Sequence, residues 1–148
     1  MYRRLTIWIA SVVVALGCSN PLTPAEVVGT YTLATIDDRL PPRLLGATIE
    51  CDDLLAGGEL ELLPAPDWSV LTFAREHDCT RAGGGVSSDT LRYLGRFRLR
   101  DATLTFETEL SLEDTLRFSG PARLGSVTLV VRDTIRGLGG PMSIRFDR

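Results

Sequence analysis

The stretch TLRYLGRFRLRDATLTFETEL, residues 90–110, alternates apolar and polar side chains almost without a break. Successive side chains of a strand point to opposite faces, so this pattern suits a half-buried strand and no helix. Leu91, Tyr93, Phe97 and Leu99 fall on one face, and Arg92, Arg96, Arg98 and Arg100 on the other. Asp101-Ala102 then turns the chain. Beyond it Leu104, Phe106 and Leu110 alternate with Thr103, Thr105, Glu107 and Glu109. A two-residue turn there sets Leu99 opposite Leu104, Phe97 opposite Phe106 and Arg96 opposite Glu107. Apolar groups meet on one face and opposite charges on the other, so turn and pattern agree on one register.

The pattern recurs in GTYTLATI from Gly29, in ELEL at 59–62, in WSVLTFAR at 68–75, in TLRFSG at 115–120, in SVTLVVRD at 126–133 and in MSIRFDR at 142–148. The breakers between them are DDRLPPR, LAGG, PAPD, RAGGGVSSD, SLED, ARLG and RGLGGP. No segment after residue 28 shows a helical apolar stripe over three turns; TPAEVV suits one short helical turn before the first strand. About eight strands with short connections predict an all-β, antiparallel up-and-down meander. Such a meander closes into a barrel or folds into a two-layer sandwich, and closure is favoured because it removes exposed edges. A membrane-spanning barrel needs an apolar outer band, whereas here the second face carries Arg, Glu, Thr and Ser.

The chain begins MYRRLTIWIASVVVALGCSN. Arg3 and Arg4 precede an uncharged run from Leu5 to Gly17. As a helix that run is about 20 Å long, against roughly 30 Å of hydrocarbon core, so it reads as a signal-peptide core and not a membrane span. Ala15-Leu16-Gly17-Cys18 resembles the bacterial lipobox, with Ala15 where Leu is usual. That resemblance implies removal of residues 1–17, lipidation (palmitate among the acyl chains) at Cys18, and a membrane partner reached through the anchor. Ser19 after the cysteine resembles lipoproteins sorted to the outer membrane, on its periplasmic or surface side. The polar SNPLTP suits a tether over residues 18–27, ahead of a single domain at 28–148. Loss of the leader takes the formal charge from −3 to −5, which argues against a nucleic-acid partner. All 16 basic residues are arginine, so no chemistry that needs a lysine amine is available.

With Cys18 carrying lipid, Cys51 and Cys79 remain. Export allows them to pair. A hairpin turning over Pro64–Asp67 sets Leu60 opposite Leu71 and Leu62 opposite Ser69. Followed to its open end, that register leaves Cys51 one step from Cys79. A single bulge near Gly57-Gly58 removes the offset, so a Cys51–Cys79 disulfide is expected.

An exported meander that opens Gly29-Thr30-Tyr31 resembles the lipocalin-like lipoproteins of bacteria, which have Trp at the position of Tyr31. The resemblance implies a small barrel that takes a small apolar ligand. Tyr31, Phe73, Tyr93, Phe97, Phe106 and Phe118 would line the pocket. The inward rings could equally fill the barrel, leaving a structural, protein-interaction lipoprotein. Interior volume separates the two readings, because a carrier needs about 300 Å³ or more.

No catalytic or metal site and no cofactor is expected. The lone His77 lies between Glu76 and Asp78, but neighbours on a strand point to opposite faces and do not converge on one ion. RAGGGV has no lysine and no following helix, so it is no phosphate loop; no G-x-S-x-G occurs; Asp37-Asp38 and Asp52-Asp53 read as turn residues. The arginine face of residues 92–100 suits an anion, a lipid headgroup or an acidic partner, or else a solvated wall balanced by Glu107 and Glu109.

Overall fold

A computed structural model describes residues 21–64, 67–109, 115–132, 138 and 140–148; Cys18 and the leader lie outside the described residues, as does Leu110. A one-turn helix α1 (Pro24–Val27) precedes nine strands: β1 (Gly29–Ile36), β2 (Arg43–Ala47), β3 (Asp52–Leu62), β4 (Trp68–Asp78), β5 (Val86–Arg100), β6 (Thr103–Glu109), β7 (Thr115–Arg123), β8 (Ser126–Val131) and β9 (Met142–Asp147). Each strand from β3 to β9 pairs antiparallel with the next, and β1 pairs with both β9 and β3. Eight strands therefore close into the expected up-and-down barrel, and β2 is a ninth strand outside it.

Closure is shared along one edge. The later half of β3 pairs with β1, from Gly29 opposite Leu62 to Thr32 opposite Glu59. Its earlier half pairs with β2, from Arg43 opposite Leu55 to Ala47 opposite Asp52. There β3, β4 and β5 run on below the barrel as a ribbon, with residues 81–90 exposed throughout. Three expectations need correction. Asp52-Asp53 and LAGG lie within β3, not in turns; Val86–Asp89 begins β5; and DDRLPPR leads into β2.

The β5–β6 hairpin has the expected register, with Phe97 opposite Phe106 and Arg96 opposite Glu107. Its turn holds Asp101 at φ 49° and Ala102 at φ 57°. Two positive φ values define the turn type that matches strand twist, and a Cβ makes the second costly. Ala102 is exposed, so glycine there removes strain and loses no packing. Ala102→Gly is expected to raise the unfolding free energy by about 1 kcal/mol, read from urea denaturation.

Inward residues of all eight barrel strands form one core, including Tyr31, Leu60, Leu71, Phe73, Phe97, Phe106, Phe118, Leu129 and Phe146. Two inward positions have no room for a side chain. A Cβ at Gly95 would lie 2.1 Å from the Glu107 carbonyl oxygen, and one at Gly120 2.0 Å from that of Thr128. Glycine lets neighbouring backbones approach at these bends of the wall.

Candidate functional site

The six aromatic residues expected to line a pocket all point inward and are buried. Four of them, Phe73, Tyr93, Phe118 and Phe106, touch in one row that Phe146 extends. Ring centroids run from Phe146 to Phe73 at 6.3 Å, Phe73 to Tyr93 at 6.2 Å, Tyr93 to Phe118 at 6.2 Å and Phe118 to Phe106 at 5.6 Å. These are contact separations for tilted and edge-on rings. Burial pushes the phenols of Tyr31 and Tyr93 above their ordinary range.

One mouth of the barrel is covered by α1 and the residues beside it, just ahead of β1. Leu22 packs on the core and Val27 is fully buried, so the later part of the expected tether belongs to the domain. The Tyr31 hydroxyl donates to the Val27 carbonyl at 2.7 Å. Arg148 donates to the carbonyls of Glu26 at 2.7 Å and Val28 at 3.1 Å, with its guanidinium 4.8 Å from the Tyr31 ring. The Glu26 carboxylate accepts from Thr23 N–H and Oγ at 2.7 Å. Those bonds hold its pKa below the usual carboxylate range.

At the far end the ribbon is clamped. Cys51 and Cys79 form a disulfide, with their Cα atoms 4.1 Å apart. The register that brings them together is the expected one: Leu60 faces Leu71, Leu62 faces Ser69, and a bulge at Ala56, next to Gly57, shifts everything below it by one residue. Ion pairs cross the ribbon from Arg75 to Asp89 and from Arg81 to Asp52, and the His77 ring contacts the Asp53 carboxylate. The Arg75 hydrogen bond lowers the Asp89 pKa. His77 faces Asp53 directly across the strands, and no three metal-ligating groups converge among the described residues.

Beside the ribbon, β2 has β3 on one side and, among the described residues, no strand on the other. It borders a depression of about 510 Å³ lined by Ile36, Asp37, Arg39, Leu40, Arg43 and Leu44, among others. Leu40 is 79% exposed and Leu44 54%. An Arg43–Asp37 pair at 2.6 Å sits on its wall, and Asp37 is held by the backbone N–H of Ser143 at 2.8 Å. Sequence reading missed this edge. RLLGA does not alternate, and its one early signal was a Leu pair among turn residues.

The outer face of β5 departs from expectation in one respect. Arg96 lies opposite Glu107, yet Glu107 pairs with Arg117 at 2.6 Å and Arg96 lies over the Trp68 ring at 5.6 Å. Arg92, Arg98 and Arg100 have no ion pair among the described residues. Arg98 and Arg100 line a second depression, of about 420 Å³, with Pro24, Asp67, Phe97 and Leu99. The buried Phe97 thus also reaches this surface hollow. No protein-family model, curated protein or solved structure matches the chain.

Proposed function

We propose that this chain is a lipid-anchored protein of the bacterial cell envelope, on the outer membrane, whose barrel is filled by its own side chains and which holds a protein partner at the free edge of β2. It is no enzyme and no carrier on this reading. The continuous chain of touching rings supports the filled interior most directly. A ligand the size of a fatty acid would have to displace several of them, each costing about 3–5 kcal/mol of packing to remove.

The anchor rests on the lipobox-like Ala15–Cys18. Cells given radioactive palmitate should label the wild type and leave Cys18→Ala unlabelled and unprocessed. Two or more acyl chains hold a protein stably where one does not. An unlabelled wild type would reject the anchor.

The partner reading rests on β2. An edge strand offers unpaired backbone groups to an extended segment, and the hollow between Leu40 and Leu44 takes one of its apolar side chains. A photo-crosslinking residue at Leu44 should give a discrete adduct in intact cells. The same probe at Arg117, on β7 and four strands round the barrel from β3, should not. Equal labelling at both positions would contradict a docking edge.

A further inference from the structure

Where β3, β4 and β5 cross the barrel wall, their outer faces carry charge in a fixed order. Leu60, Leu62 and Tyr93 are buried, so Glu59 and Glu61 of β3 and Arg92 and Arg96 of β5 face outward. Between the two stripes β4 presents only Trp68, Val70 and Thr72. The register sets Glu59, Thr72 and Arg92 in one row and Glu61, Val70 and Leu94 in the next. The acidic and basic stripes stand two strand spacings apart, about 10 Å. None of the four charged residues has an ion pair among the described residues. The centre is apolar and open, with Trp68 40% exposed and Leu94 52%.

This wall is negative on one side of β4 and positive on the other. A two-fold axis along β4, between two such walls face to face, lays β3 of each copy over β5 of its partner. Glu59 then meets Arg92 twice over, Glu61 lies between Arg92 and Arg96, and the Trp68 and Val70 of the two copies meet at the centre. Facing sheets stand about 10 Å apart, a gap that Glu and Arg side chains span together. Arg96 stacked on Trp68 still offers the edge of its guanidinium to a carboxylate. We propose that the outer wall of β3–β5 is a self-complementary surface through which two copies of this chain pair. The neighbouring charges do not oppose this. Glu107 on β6 comes over Thr30 and Thr32 of the partner's β1. Glu76, the next charge along the outer face of β4, lies about 13 Å beyond Thr72, more than a Debye length, where two twisted convex walls diverge. The axis runs along the strands, so both copies keep α1 at the same end of the pair, as two chains held in one membrane require. Pairing itself needs neither the anchor nor the β2 edge. The face is small, so dilute purified copies stay single and pairing occurs where copies are concentrated.

A photo-crosslinking residue in place of Leu94 tests this in cells that also express a second full chain with a different tag. It should give an adduct that holds both tags. The same residue at Thr128, four strands round the barrel from β4, should not. No adduct at Leu94, an adduct without the second tag, or equal adducts at both positions would each overturn the proposal. Glu59→Arg with Glu61→Arg sets like charges face to face and should lower the adduct by more than about tenfold, as should Arg92→Glu with Arg96→Glu. Expressed together, the two reversed chains bring opposite charges back over each other and should restore an adduct between them. Reversed chains that fold, shown by an intact Cys51–Cys79 bridge, yet give no joint adduct would also overturn it. Where a reversed chain does not fold, the two probe positions decide on their own.

Discussion

Phe106→Ala lowers the unfolding free energy of the mature protein by about 3–5 kcal/mol. Phe106 is fully buried, faces Phe97 across the β5–β6 hairpin and lies 5.6 Å from the Phe118 ring. Truncation removes a whole ring from the end of a packed row, and the wall cannot collapse to fill the gap because every strand is fixed on both sides. A domain of this size has about 5–15 kcal/mol in total, so the variant is close to unfolding at growth temperature. Arg98→Ala, on the outer face of the same hairpin, changes the value by less than about 0.5 kcal/mol. Urea denaturation of the pair checks both. Equal losses would mean that the two faces are exchanged.

Replacing Cys51 and Cys79 together by Ala costs about 3.5 kcal/mol, from the closure entropy of a loop of about 29 residues. The location of the bridge sharpens the expectation. It clamps the end of a ribbon in which Leu55 is the only buried apolar residue of β3 below the bulge, so little else holds those strands together. Hydrogen exchange should then show residues 52–55 and 75–78 opening before the barrel does. Thiol counting on denatured, unreduced mature protein from its native compartment should find no free cysteine. Two alkylatable thiols would reject the bridge in the cell.

What could be read from residues alone follows from where each strand lies. Residues 90–110 have an inside and an outside, so period-2 alternation gave both the hairpin and its register. The β3–β4 pairing was legible from the Leu60–Leu71 match, and a glycine pair pointed to within a residue of the bulge at Ala56. Strands that leave the barrel have no interior, and their signal vanishes. Val86–Asp89 is exposed on both faces and reads as a loop; Asp52-Asp53 and RLLGA alternate with nothing. The candidate site shows the same limit. Alternation says that Phe73, Tyr93 and Phe118 point inward, but it is silent on how far apart opposing walls stand. That separation decides between a lined cavity and a filled core. Glu107 shows a further gap: pairing in a sheet sets it between Arg96 and Arg117, and alternation does not say which guanidinium it takes. Trp68, on the far side of Arg96, takes that guanidinium and leaves Glu107 to Arg117.

Native mass spectrometry of the purified mature protein tests the filled barrel most directly. The account predicts a single species, the polypeptide from Cys18 onward plus its acyl anchor, with organic extraction releasing no further apolar compound. A stoichiometric apolar molecule that leaves only on unfolding would contradict it and make the ring-lined interior a binding cavity.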